Sequence, residues 1–404
     1  MHQPVSKTPE EEPVKKETNL LIIGAGPFGL AMAAYGKHLG IDTLIAGKAM
    51  EFWEGNMPEG MYLRSDCSWH LDPLGVETIE RFLQTQGRTP ADVEPLSRRF
   101  YLTYARWFQE QKKIEIIPQY VQKLDHISNG DHLFQATLED GRVIMAKHVV
   151  IALGFKYFKN EPQELVERLP AGCFSHTCDL VDFTELKGKR CLIIGGRQSA
   201  FECAALLDEA GAGTVHISHR KDSPAFAKSD WSWVNSMVDA MVDNPGWFRN
   251  LSSEEKDSVK HRFWAEGRLK IEPWLESRVM KETIRLWPNT QVVSCDALPG
   301  GELKAELDNG ERLSIDHVIL ATGYAVRIDQ VPFLSHGNIL QNLMTRNGYP
   351  VLSEQFQTNI PGLFFNSMAA TQDFGPFFAF TISVRISAKL IGQAIAKSFH
   401  SPCL

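Results

Sequence analysis

No apolar run in the sequence is long enough to cross a membrane, and the N-terminus lacks the charged-then-apolar pattern that directs secretion. Basic residues are in deficit, 42 Lys and Arg against 49 Asp and Glu, for a formal charge of -7. They are also scattered. A nucleic acid or a membrane is therefore not an expected partner, since phosphate binding wants a basic face. Cysteine is sparse: Cys67, Cys173, Cys178, Cys191, Cys203, Cys295 and Cys403 are an odd number spread along the chain. That usage predicts reduced thiols, no disulfide framework and a cytoplasmic protein. No metal site is expected.

What is present is 404 residues, too many for one core, with 43% apolar and 23% charged residues, as in ordinary globular domains. Residues 1–18 are polar, carry Pro4, Pro9 and Pro13, and are expected to form a disordered tail. Immediately afterwards comes the stretch around which the rest is organised. Residues 20–23 are four apolar residues that predict a buried parallel strand, and Gly24, Gly26 and Gly29 follow in Gly-x-Gly-x-x-Gly spacing before a helix. Such a turn suits a dinucleotide. Gly24 permits the turn, Gly26 lets the backbone approach a pyrophosphate, and Gly29 lets helix and strand close together, with Pro27 and Phe28 between them. A strand at 42–46 ends where these folds place an acid for the ribose, but Ala46-Gly47-Lys48 stands there. Lys48, the backbone, or Glu51 reaching back are the options for that ribose.

A Gly/Pro-punctuated loop at 51–65 is rich in aromatic and Met residues and is expected to line a site, with Trp53, Met57 and Met61 as core anchors in the plainer reading. Arg64 in that loop needs an anionic partner: a flavin, a nicotinamide phosphate, a peroxide, or a simple Asp/Glu. Two helical patterns span 76–113. Runs at 114–117, 133–138 and 143–146 predict an antiparallel meander with turns at Asn129-Gly130 and Asp140-Gly141, followed by a buried strand at 148–154.

At Gly188 the pattern begins again. A strand at 190–194 leads into Gly195-Gly196-Arg197-Gln198-Ser199, a helix at 201–209 and a strand at 214–218. Arg197 replaces the second glycine and either crowds a pyrophosphate or pairs with it. The second strand ends at His219-Arg220-Lys221 with no acid, which favours NADPH over NADH. Residues 223–279 hold five tryptophans in broken helical patterns and predict a helical cap over a cleft. The second fold closes on a strand ending at Ala321-Thr322-Gly323-Tyr324. A last strand at 362–366 and a helix over 377–396 follow, its start carrying Asp373-Phe374-Gly375-Pro376 beside the place where a reduced flavin would carry negative charge.

Two glycine turns, each followed by a strand ending in small residues and glycine, resemble the two-dinucleotide-binding flavoproteins, and within them the class B flavin-dependent monooxygenases of flavin-containing, N-hydroxylating and Baeyer–Villiger type. Trp53 with Pro58-x-Gly60 is similar to their Trp-x4-Pro-Gly loop. Gly172-x3-His176 is similar to their Phe-x-Gly-x3-His fingerprint, with Pro170 and Leu180 in place of aromatic residues. Asp316-x3-Leu320-Ala321-Thr322-Gly323-Tyr324 matches the N-hydroxylating signature, although Asp329 departs from the His or Pro that follows it there.

The resemblance implies an α/β fold of two Rossmann-like domains. One, for FAD, would comprise 19–185 and 325–404; the other, for NAD(P)H, 186–324 with the helical insertion 223–279. It implies electron transfer from NADPH to flavin, a flavin C4a-hydroperoxide formed with O2, and oxygenation of a small nucleophilic N or S centre or a carbonyl. Arg64, His176 and Asp373 are then the candidate catalytic residues. Gly24, Gly26, Pro27, Phe28, Gly29, Lys48, Trp53, Arg64, Gly195, Gly196, Arg197, Gln198, Ser199, His219, Arg220, Thr322, Gly323, Tyr324 and Asp373 are the candidate cofactor contacts. A homodimer is compatible with this reading. Two alternatives stand beside it: a reductase using Cys173-x4-Cys178, or Cys67 alone, and a non-catalytic redox sensor that binds the same nucleotides.

Overall fold

The computed structural model describes residues 15–129 and 132–400. Its first sheet grows around β1 (Lys15–Ile23), whose Leu20, Leu21 and Ile22 are fully buried. Apolar residues on both faces of a strand require cover on both, which parallel sheets receive from their crossover helices. β2 (Thr43–Ala46) lies parallel to β1 on one side, and β3 (Ile116–Ile117) continues parallel beyond it. On the other side β6 (Val143–Ile151) runs parallel to β1 and carries an antiparallel extension of β5 (His132–Leu138) and β4 (Val121–Asn129). The helix Pro27–His38 covers one face and buries ten consecutive residues from Pro27 to Gly36.

The second sheet is parallel throughout, in the order β10 (Ile284–Pro288), β9 (Thr214–His219), β8 (Arg190–Ile194), β14 (His317–Leu320), β7 (Phe174–His176). β7 joins this sheet although it precedes residue 185. Helix Gln198–Glu209 packs on one face, and an antiparallel sheet of β11 (Val292–Ala297), β12 (Leu303–Leu307) and β13 (Arg312–Ile315) shares a core with the other. The chain then returns through a hairpin of β15 (Thr345–Arg346) and β16 (Tyr349–Pro350), and β17 (Leu363–Phe365) pairs parallel with β6. Two Rossmann-like units of the expected α/β class result.

Several local expectations are corrected. Of the expected tail, residues 1–14 lie outside the described residues, while Lys15–Thr18 belong to β1, paired with Val143–Ala146. Gly130 of the expected turn is also outside them. The runs at 143–146 and 148–154 are one strand ending at Ile151, and Ile116–Ile117 pairs parallel with β2 instead of joining the meander. The final helix is Val384–His400: Pro376–Ala379 and Thr381–Ser383 form short 3-10 turns, which bury both Phe377 and Phe378 as successive helical positions would not. Between β9 and β10 the helices Ser232–Ala240 and Ser253–Phe263 lie against the first unit's core.

Candidate active site

Both glycine turns are held by close backbone approach. Gly24 has φ +111°, and a Cβ there would collide with the Ala152 carbonyl at the end of β6. A Cβ on Gly29 would strike the Gly24 carbonyl, whereas one on Gly26 would meet nothing within 4 Å. The turn is therefore shut on the protein side and open on the other, as a pyrophosphate requires. In the second turn Gly195, at φ +148°, abuts the Ala321 carbonyl, and a Cβ on Gly196 would come 2.6 Å from His219 Cβ. Neither helix is capped by the side chain of its N-cap residue, Gly26 or Arg197, so the first N–H groups stay available for a phosphate.

The expected nucleotide residues of the second unit divide. His219 is buried against Gly196, and its Nδ1 lies 2.7 Å from the Lys221 carbonyl, which requires the proton on Nδ1. Burial lowers its pKa, so it is a neutral packing residue and not part of a basic phosphate site. Arg220 is exposed, and Arg197 lies flat on Trp264, 3.7 Å from the ring centre. On the first unit Lys48 and Glu51 stand 3.9 Å apart and Lys156 donates to Glu51 at 2.7 Å. Burial works to raise the Glu51 carboxyl, but Lys156, Tyr120 and Lys48 outweigh it and hold it below the usual range. A carboxylate thus stands within five residues of the missing ribose acid.

Between the units lies a cavity of about 350 Å³. Gly24, Gly26, Pro27, Phe28, Lys48, Glu51, Trp53 and Arg64 line it from one side, Gln198, Ser199 and Glu202 from the other, and Tyr324 at the crossing between them. Trp231, Val234, Phe263 and Arg268 of the helical segment close over it. Of the five tryptophans there, only Trp231 reaches the cavity. Trp53 stacks on Tyr101, centroids 4.7 Å apart.

Arg64 has an acidic partner of its own. Its Nε donates to Glu272 Oε1 at 2.9 Å and its Nη2 to Ser229 and to the Gly267 and Lys270 carbonyls, while Nη1 is buried without a partner. Glu272 in turn accepts from Ser229 Oγ at 2.7 Å, and its backbone N–H donates to Gln198 Oε1 at 3.1 Å. This chain of bonds ties the loop, the helical segment and the second glycine turn together.

Glu202 is the site residue that motif reading passed over. It sits one turn beyond Gln198, 1% exposed, accepting the Tyr62 N–H at 2.8 Å with Oε1 while Oε2 has no partner. Burial pushes its pKa up to about 7 against the pull of the Tyr62 amide, Arg278, Gln198 and Arg64. The signal was available: Gln198, Glu202 and Leu206, at i, i+4 and i+8, make one helix stripe, and two of its three residues are polar.

Four expected residues lie off the cavity. His176 is fully buried, its ring nitrogens 3.0 Å from Cys178 Sγ and 3.0 Å from the Gly323 carbonyl, and burial lowers its pKa. Thr322 and Gly323 exchange hydrogen bonds with Asn160 and so lock the two interdomain strands where they cross. Asp373 is 4% exposed, pairs with Arg346 at 2.8 Å and accepts the Leu352 N–H at 2.9 Å, fastening the hairpin instead of facing the cavity. Asp316 of the Ala-Thr-Gly-Tyr signature grips Arg190 at the start of β8 through both carboxylate oxygens. No group of His, Cys, Asp and Glu among the described residues could hold a metal.

The described cysteines are all unbridged. Burial pushes the Cys178 thiol up to about 11, and raises Cys67 and Cys203 further still. Such thiols are poor nucleophiles. Cys203 lines the cavity; Cys67, Cys173 and Cys178 do not. Nor is any described helix long and apolar enough to cross a membrane.

Comparison with known proteins adds three likenesses. The flavoenzyme component of alkyl hydroperoxide reductase in Pseudomonas aeruginosa is 28% identical over 202 residues, 50% of this chain, which spans about a third (32%) of that relative's length. The probable indole-3-pyruvate monooxygenase YUCCA8 of Arabidopsis thaliana is 26% identical over 364 residues, 82% of this chain and 79% of that protein. Among solved structures, ornithine hydroxylase (PvdA) from Pseudomonas aeruginosa superposes with a TM-score of 0.75 at 15% identity, over 95% of this chain and all of that one. The family model for pyridine nucleotide-disulphide oxidoreductases matches residues 21–260. Because that match runs from the first buried strand past the second glycine turn, over more than half of the sequence, the chain belongs to this family.

Proposed function

We propose that the chain is an FAD-dependent, NADPH-using monooxygenase acting on a small molecule. FAD, when bound, would accept hydride from NADPH and activate O2. The observation that carries this reading is a single cavity lined by the first glycine turn on one wall and by the first two turns of the second unit's helix on the other, so that two nucleotides would meet in it. We assign FAD to 19–185 with 325–404 and NADPH to 186–324, with β7 of the first stretch lent to the second sheet and 223–279 as the capping insertion. The shut inner face of Gly24 and Gly29 and the open face of Gly26 suit an FAD pyrophosphate, and Glu51 with Lys48 suits its ribose. Gly195, Gly196, Gln198 and Ser199 would hold the second pyrophosphate, with Arg197 and Arg220 for a 2′-phosphate.

The side chains around the cavity give it two properties that oxygen chemistry needs. Trp69, Trp231, Phe263, Phe377 and Phe380 exclude water from one end. Glu202, with one unpaired oxygen and a pKa of about 7, can hold or release a proton at neutral pH. The likeness to a plant monooxygenase over most of the chain supports the same reading, and the raised thiols speak against dithiol chemistry. An oxygen-electrode trace on the purified, FAD-loaded protein tests it. NADPH should drive O2 uptake without any added disulfide. Oxygen left untouched points to a sensor, and turnover that requires a disulfide points to a reductase; either result overturns the proposal.

A further inference from the structure

Among the described residues, the cavity holds a cation that the protein does not neutralise. Arg268 lines it from the turn after helix Ser253–Phe263, partly buried, and makes no hydrogen bond or ion pair with any described residue. Its guanidinium carbon lies 4.9 Å from the Phe380 ring centre, its close partner in the wall. The other charges near it are of its own sign. Burial together with Arg64 and Arg197 lowers its pKa to about 9. Arg64 brings no relief, because Glu272 already pairs with it and its buried Nη1 is a second donor without a partner. Glu266, two residues before Arg268, is paired with Arg262.

A guanidinium enclosed by aromatic walls and like charges is costly unless something anionic completes it. The surrounding side chains say what else the occupant carries. Trp231, Phe263, Phe377 and Phe380 line the same end of the cavity and offer ring faces to a flat apolar body. We infer that Arg268 is the seat for a carboxylate-sized oxyanion on the substrate, so that the site takes an aromatic acid and discriminates against the corresponding amine or alcohol. This rests on the monooxygenase reading for the word substrate, but the seat itself can be tested without turnover. A nicotinamide phosphate has the same chemistry. The position favours the substrate, because Arg268 faces the cavity while Arg197 and Arg220, beside the second turn, do not.

Calorimetric titration of the FAD-loaded protein with phenylacetate, phenethylamine, 2-phenylethanol and NADP+ decides between the sources. Phenylacetate should bind the wild type about tenfold or more tightly than the amine or the alcohol. Arg268→Met should weaken phenylacetate by about tenfold or more, Arg268→Lys should recover part of the loss, and NADP+ affinity should hold within about twofold in both. An unchanged far-UV spectrum and flavin content identify folded variants, and Arg268→Lys keeps the test open if the Met variant does not fold. The inference is overturned if phenylacetate fails to bind the wild type, if the amine binds equally well, or if the variants lose NADP+ while keeping phenylacetate. Failure of the seat in a protein that still consumes O2 with NADPH leaves the proposed function standing; phenylacetate binding without O2 uptake does the reverse.

Discussion

Replacing Glu202 with Gln gives the sharpest test of the site's electrostatics. Glu202 is buried beside the cavity with its pKa displaced from 4.5 to about 7, first by burial. The folded protein therefore holds this proton more tightly than the unfolded chain. Between those two values the unfolded state releases the proton first, so stability is fully present below pH 4.5 and is lost as the pH rises through 7. At roughly 1.4 kcal/mol per pH unit the loss reaches up to about 3 kcal/mol. Gln keeps an oxygen for the Tyr62 N–H but cannot ionise. Urea titrations of wild type and variant should therefore nearly coincide at acid pH. Above neutrality the variant should be the more stable, by up to about 3 kcal/mol. A stability difference that does not change with pH, or a variant weaker than wild type in alkaline buffer, would refute the placement of an ionisable group in a dry wall.

Three further outcomes follow from the geometry. Gly26→Ala should fold normally, since its Cβ meets nothing within 4 Å, yet purify with less FAD; Gly24→Ala, at φ +111° and against the Ala152 carbonyl, should cost about 1–3 kcal/mol in stability, and both are read from urea curves and the flavin-to-protein absorbance ratio. Asp373→Ala removes the partner of Arg346 and of the buried Leu352 N–H and should destabilise by about 1–3 kcal/mol in the same curves, with an unchanged midpoint as the contrary result. Brief iodoacetamide treatment should leave NADPH-driven O2 uptake intact because burial raises the Cys67, Cys178 and Cys203 thiols; loss of activity would reinstate thiol chemistry.

The parts of the fold that could be read from the chain alone are those whose physics is local. Strand, glycine turn and helix follow one another within residues 20–38 and again within 190–209, and close backbone approach at Gly24 and Gly195 explains why those glycines stand where they do. Val143–Ile151 was harder, because Lys147 and His148 interrupt the apolar run of a strand that is nonetheless continuous and pairs with β1 along its length. The final helix begins at Val384 instead of residue 377, because Phe377 and Phe378 must both turn inward, a demand of the tertiary core that helical periodicity does not display.

The site shows the same division. Its nucleotide turns were legible as motifs, and Arg64 as a residue in need of an anion, which proved to be Glu272, distant in sequence. His176 and Asp373 drew attention by residue type, but each spends its hydrogen bonds on backbone and neighbours. Glu202 left a trace in the helix stripe. Arg268 left none, since its lack of a partner exists only once the helical segment has folded over the first unit.

The account stands most directly on whether this chain holds a flavin that NADPH can reduce. The purified protein, or protein incubated with FAD and desalted, should show the yellow absorbance of bound oxidised flavin, lose it on addition of NADPH without air, and regain it when oxygen is admitted. A protein that stays colourless after incubation with FAD, or a bound flavin that NADPH leaves yellow, would contradict it.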